Sequence, residues 1–153
     1  MAGAYLTPSI RIRRTPFSSR VEQAGVKAYS VYNHMLLPQV FESIEEDYAH
    51  LKRAVQVWDV AAQRQVEVVG PDAFRLVQMT TPRDITRMAD DQCFYVPMVD
   101  DRGRMLNDPV AIKRDRDRYW LSLADTDMLY YCKGLAAGFG LDVEVFEPDV
   151  SPL

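Results

Sequence analysis

Between Cys93 and Leu121, three runs rich in β-branched and aromatic residues are separated by two short polar turns, Asp100-Asp101-Arg102-Gly103 and Arg114-Asp115-Arg116-Asp117. Turns this short return the chain antiparallel to itself, whereas parallel pairing needs a crossover of a dozen or more residues. The segment is therefore predicted to form an antiparallel meander of Cys93 to Val99, Met105 to Lys113 and Tyr119 to Leu121.

Elements around the meander follow from capping and periodicity. Ser43-Ile44-Glu45-Glu46 has capping-box spacing, and Ile44, Tyr48, Leu51 and Val55 recur on one helical face, which predicts a core-facing helix. Val55 to Val60 and Gln65 to Val69 read as strands. Gly70-Pro71 opens a short helix through Phe74 and Val77, ended by Thr81-Pro82. A further helix is expected from near Asp125, with Met128, Cys132, Leu135 and Phe139 on one face and a stop at Gly138 or Gly140. Val143 to Phe146 is the last strand. Hairpin strands with helices beside them, without strict strand-helix alternation, define an α+β class. Residues 15–153 are expected to form one domain, preceded by a flexible basic arm over 1–14 that carries Arg11, Arg13 and Arg14.

Composition narrows the function classes. Eighteen basic against 22 acidic residues give a net charge of −4, which argues against a phosphate-neutralising surface and hence against nucleic acid as main partner. No run approaches the roughly 18 apolar residues of a membrane span. A cytoplasmic chain with two buried, reduced thiols at Cys93 and Cys132 is expected, since their spacing suits neither a disulfide framework nor a zinc site. The isolated glycines form no phosphate-cradling loop. His34 and His50 stand in no catalytic-triad spacing, and His50 reads as a surface residue.

One carboxylate stands in an odd setting, Met105-Leu106-Asn107-Asp108-Pro109-Val110. Pro109 cannot donate to a ladder and keeps Asp108 extended, so the strand must lie at an edge or be interrupted there. Such breaks often aim a side chain into a site. The pattern alone leaves two readings of Asp108 open, a functional carboxylate and one that satisfies a nearby backbone amide.

Several runs together are similar to a known family. Gln92-Cys93-Phe94-Tyr95-Val96-Pro97-Met98, a turn containing Gly103, Leu106-Asn107-Asp108-Pro109, and Val57-Trp58-Asp59-Val60 before Gly70 resemble the N-terminal half of folate-dependent methyltransferases related to the glycine-cleavage T-protein. Within that superfamily the chain most resembles the dimethylsulfoniopropionate demethylases. Thr15-Pro16-Phe17, Arg20-Val21-Glu22, Val31 to Pro38, Thr81 to Asp84 and Asp142 to Leu153 carry the likeness, which is collinear from about residue 15.

The resemblance implies tetrahydrofolate as methyl acceptor and a small methylated substrate as donor. The family's acidic pair aligns with Asn107 and Asp108, so Asp108 is the implied catalytic carboxylate near the folate nitrogens, with Asn107 replacing the first acid. Tyr95 takes the place of a family tyrosine near the folate, and Ser122 that of a polar position on the adjacent strand. Tyr32, Trp58 or Tyr29 could offer a ring face to a cationic methyl donor, beside the plainer reading of each as a core aromatic. No metal is implied. A sulfonium methyl is already activated, because its leaving group departs as a neutral thioether, so no strong protein nucleophile is required.

The family's chains are more than twice this long, and a second half closes their folate pocket. The chain is accordingly expected to be one of three things: part of a methyltransferase active only with a second chain or as a homodimer, a non-catalytic folate-binding or interaction domain, or an inactive truncated fragment. The first predicts an exposed apolar patch.

Overall fold

A computed structural model describes residues 9–123 and 127–150. The sequence reading treats 15–153 as one domain, and the contacts divide the chain after Ala62 into two compact units.

The first unit contains α1 (Ser18–Gln23), β1 (Ala28–Tyr32), β2 (Met35–Val40) and α2 (Ile44–Leu51). β1 and β2 form an antiparallel hairpin in which Tyr32 faces Met35, and Asn33 and His34 close it with φ of 54° and 56°. Left-handed residues at both central positions match the twist of the strands they join. Arg13, assigned by the sequence reading to a loose arm, bridges Met35: its N–H donates to His34 O at 2.7 Å and its carbonyl accepts from Leu36 N at 3.2 Å.

α2 begins as its capping box requires, with Ser43 Oγ accepting the Glu46 N–H at 3.1 Å. Its expected core-facing role is not what the structure shows. Ile44, Tyr48, Leu51 and Val55 are 72%, 60%, 57% and 89% exposed, and the helix buries no residue. Periodicity locates an apolar face without stating that anything covers it. The strand expected over Val55 to Val60 is also absent. That stretch finds no ladder, and side chains hold it instead: Trp58 Nε1 donates to Pro38 O at 2.8 Å, Asp59 Oδ1 accepts the Ala61 N–H at 3.0 Å, and Thr15 Oγ1 donates to the buried Asp59 carboxylate.

The second unit, Gln63–Val150, contains β3 (Gln65–Val69), α3 (Ala73–Thr80), β4 (Cys93–Tyr95), β5 (Met98–Val99), β6 (Met105–Asn107), β7 (Val110–Asp115), β8 (Arg118–Ser122), α4 (Asp127–Phe139) and β9 (Glu144–Phe146). Five strands form an antiparallel sheet in the order β4-β7-β8-β3-β9, and β5 pairs with β6 apart from it. The α+β class holds.

Alternation assigns the two faces of the sheet. Phe94, Ala111, Leu121 and Val66 are cross-strand partners, as are Tyr119 and Val68, and Val68 and Val145. This face joins Leu76 and Val77 of α3 and Met128, Cys132 and Ala136 of α4 in one buried cluster. Each large side chain so buried contributes roughly 1.5–3 kcal/mol.

The α4 face ends sooner than expected: Leu135 is partly buried and Phe139 is 56% exposed, because Gly140 (φ 60°) turns the chain away. Its expected start near Asp125 lies outside the described residues. Of the two thiols expected to be buried, Cys132 is buried and Cys93 is exposed. Cys93 pairs with Ile112, which puts its side chain on the face turned away from the helices.

Candidate functional site

Two prolines flank the site. A continuous hairpin from Cys93 through Lys113 would need an N–H donor at Pro109, opposite Val96, which proline lacks. The ladder therefore splits into β4 with β7 and β5 with β6, and Val96 N–H donating to Pro109 O at 2.9 Å bridges the gap. Asp108 falls in that gap, after β6 and before β7, and is exposed.

Tyr95, the last residue of β4, turns its hydroxyl to this carboxylate and donates to Asp108 Oδ2 at 3.1 Å. The bond, followed by burial and the carboxylate charge, raises the pKa of the Tyr95 phenol above its ordinary value. The Tyr95 residue is 50% exposed, and Asp108 Oδ1 has no protein partner among the described residues. Asn107, 6% exposed, accepts the Asp108 N–H on its Oδ1 at 2.9 Å and so braces the backbone at the break. Arg83 steadies the other side, donating to Tyr95 O at 2.8 Å with its guanidinium 4.5 Å from the Phe94 ring centroid.

Ser122 shares a cross-strand row with these groups: Tyr95 pairs with Val110, Val110 with Ser122, and Ser122 with Gln65. Directly paired residues point to one face, so this row lies opposite the helix-covered core. The next row on the same face runs Cys93, Ile112, Trp120, Glu67 and Phe146. Glu67, only 1% exposed, is paired with Arg118, and Trp120 carries the Arg114 guanidinium 4.8 Å from its ring centroid.

The structure thus brings Tyr95, Asn107 and Asp108 together and sets Ser122 in their row. Tyr32 and Trp58 belong to the first unit. There Tyr32 is partly buried at the end of β1, and Trp58 is half exposed with its indole N–H held by Pro38. The Tyr29 hydroxyl is buried without a hydrogen-bond partner among the described residues, and burial raises its pKa. Sequence reasoning missed Gln65 and Trp120, whose Oε1 and Nε1 are buried and have no partner among the described residues. The signal was the alternation Gln65-Val66-Glu67-Val68, whose polar positions resemble a solvent-facing side. Among the described residues no group of His, Cys, Asp and Glu could hold a metal ion, and no helix is long and apolar enough to cross a membrane.

The GCVT N-terminal domain matches residues 17–149. The chain is 65% identical, over 98% of its length, to the dimethylsulfoniopropionate demethylase of Ruegeria pomeroyi, of which it covers 41%. It is 30% identical, over 69% of its length, to a probable aminomethyltransferase of Halobacterium salinarum, of which it covers 29%. The crystal structure of the glycine cleavage system aminomethyltransferase T from Bartonella henselae shares the fold, with a TM-score of 0.74 over 90% of this chain and 38% of that one at 18% identity. The chain spans about two fifths or less of the length of these relatives, and with the family's domain matched over residues 17–149 it belongs to the GCVT N-terminal domain family, that of the glycine-cleavage T-protein.

Proposed function

We propose that this chain supplies the N-terminal portion of a tetrahydrofolate-dependent methyltransferase that takes a methyl group from dimethylsulfoniopropionate or a similarly methylated substrate. The observation that carries this reading is the Tyr95–Asp108 pair, an exposed ring and an exposed carboxylate locked together where two ladders part. The 65% identity to a dimethylsulfoniopropionate demethylase supports the choice of donor.

The residues present suit a reduced folate. Asp108 Oδ1 is an open acceptor for ring N–H groups, the Tyr95 ring offers a stacking surface, and Ser122 adds a hydroxyl in the same row. When bound, tetrahydrofolate supplies the ring nitrogen that takes up the methyl group.

The chain's own residues bind and orient. Tyr95 holds Oδ2 and leaves Oδ1 without a partner among the described residues, Asn107 braces the adjoining backbone, and the fixed negative charge of Asp108 sets the field at the ligand's nitrogens. Since a sulfonium donor releases a neutral thioether, alignment and exclusion of water are what the protein must provide. Asn107, Asp108, Tyr95 and Ser122 are assigned to the folate, with Asp108 the catalytic group, and Tyr32 and Trp58 to the methyl donor.

The test is to incubate the full-length protein with tetrahydrofolate and, separately, dimethylsulfoniopropionate, a methylated amine and an aryl methyl ether. The product 5-methyltetrahydrofolate should form with the sulfonium, and its formation with none of them would overturn the reading. Because the chain spans about two fifths of the demethylase, a folate-binding module without turnover of its own is the second reading. Calorimetric binding of tetrahydrofolate by the 153-residue chain without methyl transfer would favour it.

A further inference from the structure

Gln65 is 7% exposed, yet its Oε1 accepts no hydrogen bond among the described residues. A buried acceptor left open is costly, and native interiors almost always satisfy such groups. The orientation of the carboxamide is not arbitrary. Its Nε2 donates to Gln63 O at 3.3 Å and to Ser122 Oγ at 3.2 Å, and a flipped carboxamide would set oxygen against the Gln63 carbonyl.

Ser122 completes the pattern. Its Oγ accepts from Gln63 Nε2 and from Gln65 Nε2, both at 3.2 Å, so both lone pairs are engaged. Its own O–H then has no acceptor among the described residues. With the Gln63 carboxamide oriented as it stands, a hydroxyl left to donate and a carbonyl able only to accept lie side by side on one row.

We propose that Gln65 and Ser122 together read the cis-amide edge, an adjacent C=O and N–H, of a planar heterocycle bound along the Tyr95–Val110–Ser122–Gln65 row. The ligand carbonyl takes the Ser122 O–H, and the ligand N–H donates to Gln65 Oε1. Three strand spacings separate Tyr95 from Gln65, about 14 Å, so a ligand that meets both ends is extended as well as flat. Gln65 thereby becomes a specificity residue for the folate site assigned above, and the inference rests on that assignment.

The experiment measures calorimetric dissociation constants of the 153-residue chain for three probes. These are tetrahydrofolate, 6-methyltetrahydropterin, which keeps the cis-amide edge alone, and p-aminobenzoylglutamate, which lacks that edge. Gln65→Leu should weaken the first two roughly tenfold, the loss of one well-made hydrogen bond, and leave the third unchanged.

Ser122→Ala should weaken the same two probes. Should Gln65→Leu not fold, Gln65→Met, unbranched and close in volume, carries the same expectation. Unchanged affinity of the Gln65 variants for 6-methyltetrahydropterin, or equal loss for all three probes, overturns the pair while leaving the folate assignment standing. Failure of the unsubstituted chain to bind tetrahydrofolate overturns both.

Discussion

The Tyr95 hydroxyl donates to Asp108 Oδ2 across 3.1 Å, tying the end of β4 to a residue that belongs to no strand. Because this contact raises the phenol's pKa, the stability it adds is fully present below the ordinary tyrosine value of about 10 and is lost as pH rises through the higher folded value. A difference titration of tyrosinate absorbance against Tyr95→Phe should isolate this phenol, and Asp108→Asn should lower its pKa. A pKa that stays put in Asp108→Asn would show the two groups to be uncoupled. Under the proposed function the same variant should also reduce methyl transfer at least about tenfold, as loss of an electrostatic contact to the reacting ligand does, while the melting temperature changes little.

Asp100 organises the turn between β5 and β6. Its Oδ1 accepts the Arg104 and Arg102 N–H groups at 2.8 and 2.9 Å, and these bonds, Arg104 first, hold its carboxyl below the ordinary value. Such a group stabilises the fold above the unfolded carboxyl pKa of about 3.9, and that contribution disappears as pH falls through the lower folded value. In Asp100→Ala, amide exchange at Arg102 and Arg104 should accelerate at neutral pH; exchange that stays as slow as in the unsubstituted chain would remove Asp100 from the turn's stability.

The two thiols should differ sharply in reactivity. Burial pushes the Cys132 thiol up to about 12, whereas Cys93 is exposed on β4. Since thiolate is the reactive form, iodoacetamide at neutral pH should label Cys93 alone in the native chain and both residues in denaturant. Native labelling of Cys132 would mean that α4 opens readily.

Leu51→Ser on α2 should change stability by no more than about 0.5 kcal/mol in urea unfolding, as expected for a surface site. Leu76→Ala in the buried cluster should cost about 2–5 kcal/mol. Comparable losses at the two sites would show that α2 is covered in solution.

These contrasts follow the line between what local chemistry dictates and what pairing at a distance dictates. Ser43 with Glu46, Gly103 after Asp100, and Pro109 after Asp108 act within a few residues, so the start of α2, the β5–β6 turn and the interrupted strand were legible in the sequence. Whether Ile44, Tyr48 and Leu51 are covered depends on elements far along the chain, and all three are more than half exposed. The Tyr95–Asp108 contact stands between these cases: Pro109 and the family likeness pointed to the carboxylate, but the contact needs the β4–β7 register. Gln65 was hidden because a strand position that faces a ligand and one that faces water carry the same alternation.

Gly70→Ala tests a backbone crossing. Gly70 has φ of 139°, and a Cβ there would lie 2.5 Å from Asp142 O, in a segment where Asp72 and Asp142 exchange hydrogen bonds. Strain and overlap together should cost at least about 2 kcal/mol, read as a lowered urea midpoint; an unchanged midpoint would mean that the Asp142 segment yields freely.

The interrupted ladder also bears on how the chain behaves among its own copies. Both outer strands of the five-stranded sheet, β4 and β9, are three residues long, and β4 gives way two residues later to a proline. A neighbouring molecule seeking to extend the sheet meets a stub without a continuous run of donors. Pro109 interrupts the ladder beside Asp108, and Pro97, whose nitrogen faces outward, denies the β4 edge to another polypeptide, so ligand access and edge protection draw on neighbouring prolines of one break.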